Sequence, residues 1–112
     1  LQNRSFITDD EIDKALDYLR DNARDAAQAR AERIYVEEYR KTLKAQLMKE
    51  HGQMSAVLQE REAYSDPRYE QHLDAIREAV RLDEFHRFMR IAAEAKIEAW
   101  RTASSNERAI KI

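Results

Sequence analysis

The sequence predicts an all-α protein: a long antiparallel helical hairpin with a short helical corner, dimerising into a bundle or coiled-coil-like assembly. Three observations carry this. One Gly and one Pro among 112 residues leave the backbone almost unpunctuated. Apolar side chains recur at the 3–4 spacing of one helical face through most of the chain. Charged residues reach 38%, against roughly 25% in ordinary soluble domains. Seventeen of the residues counted in the 43% hydrophobic fraction are alanine, so any core is a thin seam between solvated faces.

The first element opens at "ITDDEI". Thr8 and Glu11 have capping-box spacing, in which the hydroxyl accepts from the Glu11 amide and the carboxylate accepts from the Thr8 amide. Ile7 and Ile12 stand at the two positions of a hydrophobic staple, and Asp9, Asp10 and Glu11 favour the positive end of the helix dipole. No Gly or Pro follows until Gly52, so a helix over about 9–50 is expected. Its seam reads Ile12, Leu16, Leu19, Ala23, Ala26, then Val36, Tyr39, Leu43, Leu47. Between these runs "ARDAAQARAER" offers only alanine, and two abutting helices meeting near Asn22 are the alternative to one continuous helix.

Gly52 is expected to end this helix in the left-handed conformation. Ser55 then caps a short helix over about 55–63, with Met54, Val57 and Leu58 turned inward. Asp66-Pro67 restarts the chain, Asp as N-cap and Pro at the first helical position. The second long helix is expected over about 67–102. Its seam runs Tyr69, Leu73, Ile76, Val80, Leu82, Phe85, Met89, Ala92, Lys96 and Ala99; the step from Val80 to Leu82 breaks the spacing, so the stripe drifts around the helix. Asp74–Arg77 and Asp83–Arg87 are expected ion pairs on the wet face. The "TASSN" stretch, whose side chains compete for backbone hydrogen bonds, is expected to stop the helix and leave residues 103–112 as a flexible tail. The whole reads as one helical domain over 1–112. Two helices share only one contact line, and a second copy would complete a four-helix bundle. A homodimer is therefore expected, with a monomeric three-helix bundle as its competitor.

Function classes narrow by elimination. Without cysteine there is no disulfide, thiolate nucleophile or Cys-based zinc site. No phosphate-binding Gly-rich loop, HExxH motif or Gly-flanked serine is present, so neither enzymatic activity nor a cofactor is expected. No apolar run nears the ~20 residues of a membrane span. The best metal candidate is Asp83 with His86, three apart on one helical face, as in carboxylate-bridged bundles. Glu37, Glu38 or Glu78 would have to complete it; the plainer reading leaves both residues in solvent. His51 suits a helix C-terminus, and His72 is expected on a polar face.

Net charge is −2, which favours neither nucleic acid nor acidic lipid. Basic residues nevertheless gather at Arg33, Arg40, Lys41, Lys44 and Lys49, and again at Arg87, Arg90, Lys96, Arg101, Arg108 and Lys111. Tyr35, Tyr39 and Trp100 could stack on bases, which makes a single-stranded or duplex DNA-binding accessory factor the alternative function. The leading reading is protein binding. Trp100, flanked by Ile97 and Arg101, is an anchor of the kind enriched at binding hot spots, or else a lid on the bundle core.

The segments "RIYVEEYRKTLKAQLMKEH" (33–51) and "AKIEAWRTASSNERA" (95–109) resemble stretches of small helical proteins encoded by temperate phages and prophages. The resemblance implies a non-enzymatic accessory or adaptor protein in the cytoplasm of a bacterial host, near recombination or replication machinery. It assigns no functional residue.

Overall fold

The computed structural model describes residues 7–111, and these are helical nearly throughout. Four helices follow in order: α1 (Asp9–Asp21), α2 (Ala23–Lys49), α3 (Ala56–Ser65) and α4 (Pro67–Lys111). The chain is all-α, and within Ala27–Glu84 it forms a helical hairpin of α2 and α4. By packing it divides into two compact units, Leu1–Ala26 with Phe85–Ile112, and Ala27–Glu84.

Helix α1 starts where the sequence predicts. The Glu11 amide donates to Thr8 Oγ1 at 3.1 Å, and the Thr8 amide donates to Glu11 Oε1 at 3.0 Å. Of the two readings of residues 9–50, the structure adopts abutting helices. Asn22 leaves the helical region, at φ −103° and ψ 3°, and caps α1. Its side-chain amide donates to the Tyr18 carbonyl at 3.1 Å, competing with the regular ladder. The ladder resumes at once, with the Ala26 amide on the Asn22 carbonyl at 2.9 Å.

Three further expectations are corrected at the corner and the end of the hairpin. Gly52 does not take a positive φ. Helix α2 instead ends by tightening into i→i+3 bonds, Glu50 to Leu47 at 3.2 Å and His51 to Met48 at 3.0 Å, which satisfy its last carbonyls without a left-handed residue. Ser55 caps α3 by accepting from Leu58 N at 3.4 Å, but Met54, Val57 and Leu58 face solvent and Ala63 packs inward instead. Helix α4 does not stop at residue 102: residues 103–111 are helical, and Ile112 lies outside the described residues. Thr, Ser and Asn each cost only about 0.5 kcal/mol relative to Ala in a helix, and neither Gly nor Pro is present to break it. Asp66-Pro67 begins α4 as expected, with Arg68 N donating to Asp66 Oδ1 at 2.8 Å.

Burial follows a 3–4 spacing, broken by seven-residue steps across the exposed Arg40 and Arg90, and it is not the one traced by the largest side chains. In α1 and α2 the seam passes through the buried or half-buried Ile12, Ala15, Leu19, Asn22, Ala26, Ala29, Arg33, Val36, Leu43 and Leu47, with Tyr18, Tyr39 and Met48 half-buried beside it. Leu16 and Ala23, expected in the seam, are exposed, as their places are taken by Ala15 and Asn22. In α4 the inner positions are Tyr69, His72, Ile76, Ala79, Asp83, His86, Ala93, Ile97 and Trp100. The stripe on α4 keeps heptad spacing, with Val80 half-buried beside it, and so turns slowly around the helix. It passes through polar residues, and Leu73, Leu82, Phe85, Met89, Ala92, Lys96 and Ala99 all lie outside it, exposed. A seven-residue rhythm of this kind is the geometry of helices packed side by side in a coiled-coil manner.

Within Ala27–Glu84, α2 and α4 run antiparallel, because pairs across them join rising numbers on one to falling numbers on the other: Arg33 with Asp83, Val36 with His72, Glu50 with Arg68. Among the described residues the fully buried set is small: Ile12, Val36 and Leu47, with Ala15, Ala29, Ala63, Ala79 and Ala93.

Candidate interaction surface

Fourteen large apolar side chains are exposed among the described residues, against three that are buried. Their densest cluster is on α4. Phe85 is 51% exposed and Phe88 59%, with Met89 and Ile91 beside them and Leu82 one turn earlier. At 100° per residue Phe85, Phe88, Ala92, Ala95 and Ala99 project from one side of α4, away from the inner line through Asp83, His86, Ala93 and Ile97. The helix therefore carries two apolar stripes. The inner one meets a neighbouring helix, and nothing in the chain's own described residues covers the outer one.

The polar groups that sequence reasoning marked as candidates are engaged within the fold. Arg33 Nη1 bonds Asp83 at 3.3 Å and Glu84 at 3.0 Å, while its Nε reaches Glu37 at 3.3 Å. Glu84 first, then Glu37 and Asp83, push the guanidinium pKa up, so this charge is committed to the seam between α2 and α4. Asp83 thus pairs with Arg33 and not with Arg87, whose guanidinium sits 5.2 Å from the Phe88 ring. Lys44 bonds Glu60 at 2.6 Å and lies 4.7 Å from the Tyr64 ring, and Glu60 is the main cause of its raised pKa. Lys41 pairs with Glu38 at 3.4 Å. Arg40 and Arg90 are exposed. Tyr39 is half-buried between Tyr35, with ring centroids at 6.0 Å, and His72 at 5.5 Å. His72 is not on a polar face: its Nε2 meets the Val36 carbonyl at 2.6 Å. Of the DNA-binding candidates, Arg33, Lys41 and Lys44 are paired with the chain's own carboxylates.

The metal candidate divides in the same way. Asp83 belongs to Arg33, while His86 is half-buried against Phe85, ring centroids 5.6 Å apart, with its Nδ1 buried and unbonded. Among the described residues no group of three His, Asp or Glu side chains is placed to hold a metal ion. Glu37 and Glu38 are taken by Arg33 and Lys41, and Glu78 by Arg81.

Trp100 is half-buried, and its indole N–H donates to Asp9 Oδ1 at 3.3 Å; Ile97 is half-buried one turn before it. Arg101 is exposed and paired with Glu98 at 3.2 Å. The shallow depression around Trp100 is lined entirely by residues between 98 and 108 of α4, so it is the flank of one helix and not an enclosed pocket.

Sequence reasoning placed Phe85 and Met89 in the core and did not single out Phe88 or the alanines 92, 95 and 99 as a surface. The signal was present in the break between Val80 and Leu82, beyond which the largest apolar side chains leave the inner stripe. Among the described residues, no helix is long and apolar enough to cross a membrane. No protein-family model, curated protein or solved structure matches the chain.

Proposed function

We propose that this is a non-enzymatic interaction protein, an accessory or adaptor of the phage type, that works by packing apolar helix faces against other helices, including those of a second copy. The observation that carries the reading is the inversion of burial: three large apolar side chains inside and fourteen exposed among the described residues. Contiguous exposed apolar surface of this kind marks interaction sites in soluble proteins. The titratable groups support it by contrast. Those with shifted pKa values are partners in ion pairs along the helices, such as Arg20 with Asp21, Arg68 with Asp66 and Arg81 with Glu78, and do not converge on a cleft. The phage attribution rests on the resemblance of residues 33–51 and 95–109 alone.

The test is thermal melting followed by circular dichroism over a hundredfold range of protein concentration. Association that stabilises the folded state makes the midpoint rise with concentration. A midpoint independent of concentration would remove self-association from the reading.

A further inference from the structure

We infer that the outer face of α4 is covered by α4 of a second copy, running antiparallel, with Ala92 of one chain against Ala95 of the other. The inference rests on the proposed self-association and specifies its surface, orientation and register.

Area is the first argument. Phe85 and Phe88, at 51% and 59%, contribute about 100 Å² each if an aromatic side chain spans about 200 Å². With Met89, Ile91 and the alanines, two such faces together reach the ~1,000 Å² that a specific interface needs.

Steric self-complementarity sets the orientation. Phe85, Phe88, Ala92, Ala95 and Ala99 follow one another at spacings of three, four, three and four along the outer stripe, large residues at one end and small at the other. A parallel pair stacks Phe on Phe at that end and alanine on alanine at the other. Large residues hold helix axes near 10 Å and small ones near 8 Å, so a parallel pair splays. An antiparallel pair puts the Phe end of each copy on the alanine end of its partner and keeps the separation even, as an isologous interface requires.

Charge then chooses between two antiparallel registers. With Phe88 against Ala92 of the second copy, Glu84 comes beside Glu98 of the second copy, and symmetry repeats this like-charge contact. With Ala92 against Ala95 of the second copy, Phe88 meets Ala99, Ile91 lies beside Glu98, and Met89 lies along the aliphatic stem of Lys96. No like charges face each other in that register, and long charged side chains flank an apolar seam.

The experiment exploits the absence of cysteine from the chain. Ala92→Cys and Ala95→Cys variants, one labelled with ¹⁵N, are mixed, oxidised and weighed by mass spectrometry. The proposed register gives a mixed disulfide of intermediate mass in at least fivefold excess over either homodisulfide. A predominance of homodisulfides overturns it. In parallel, Phe88→Glu is expected to weaken association at least a hundredfold with helicity retained, since Phe88 is 59% exposed in the single chain. Val57→Glu, at a position 77% exposed on α3, leaves association unchanged. Association of Phe88→Glu as tight as the parent's overturns the surface while leaving self-association standing; a wild-type chain that never associates overturns the reading beneath it.

Discussion

The two units share one rhythm of burial and fill it differently. In Ala27–Glu84 the seam is held by directional contacts: Arg33 clasps Glu37, Asp83 and Glu84, His72 meets the Val36 carbonyl, Lys44 reaches Glu60, and Arg68 reaches Glu50 at 2.7 Å. Leu47 and Ala63, the most buried of the described residues, stand at the end of α2 and in α3. In Leu1–Ala26 with Phe85–Ile112 the buried seam among the described residues is Ile12, Ala15 and Ala93, with Trp100 on Asp9, while Phe85 and Phe88 are exposed. Apolar content alone does not decide which unit is self-sufficient. What matters is whether the large side chains lie on the inner stripe. Polar ties fix a register that apolar contacts alone leave free to slide, and Ala27–Glu84 holds these ties across its helices.

That contrast can be broken by removing what closes the tied unit. Leu47→Ala should cost about 2–5 kcal/mol in chemical denaturation, because Leu47 is 2% exposed and truncation leaves a cavity in its place. A smaller value would mean that the corner of that unit is no better packed than the other one. The other unit can be probed at its cap. Thr8→Ala removes the acceptor of the Glu11 amide and should cost about 1 kcal/mol, seen as faster amide exchange across α1.

The corner of α2 and α3 provides a change of opposite sign. A Cβ on Gly52 would lie 3.6 Å from the Lys49 carbonyl oxygen, ordinary contact distance, and its φ is not positive. Gly52→Ala should therefore stabilise the protein by about 0.4–1 kcal/mol by restricting the unfolded chain, as a raised melting midpoint would report. The smallest effect is electrostatic. Arg68, bonded to Asp66 at 2.9 Å, holds the Asp66 carboxyl down at about 2 from an ordinary value near 3.8. Such a group stabilises the fold above its unfolded value, and the contribution disappears as pH falls from about 4 to about 2. Glu50 is depressed by the same guanidinium and adds to the loss in that direction. Asp66→Asn should flatten the acid limb of a stability profile measured between pH 5 and pH 2. An unchanged limb would show that the pair, half in solvent, contributes nothing measurable.

Much of the fold was legible in local signals. The capping box at Thr8, the Ser55 cap and the Asp66-Pro67 restart each depend on chemistry within four residues, and all three are where the residues place them. The candidate surface was not, because the 3–4 spacing states that a helix has an apolar face without saying which of two faces is inside. On α4 the largest side chains drew the seam through Leu82, Phe85 and Met89. The helix instead turns Asp83, His86 and Ala93 inward, since Arg33 on α2 supplies the partner that lets Asp83 be there. That pairing joins residues 50 apart, and no local pattern announces it. The same blindness to distant partners made Asp83 and His86 look like a metal pair, and Arg33 and Lys44 like free cations.

The central claim, that the outer face of α4 is an interface between copies, meets its most direct test in sedimentation equilibrium of the wild-type chain beside Phe88→Glu. The account predicts a wild-type species of twice 13.3 kDa at micromolar concentration and a variant of 13.3 kDa with the same helix content. A wild-type mass of 13.3 kDa throughout, or a variant as heavy as the parent, would contradict it.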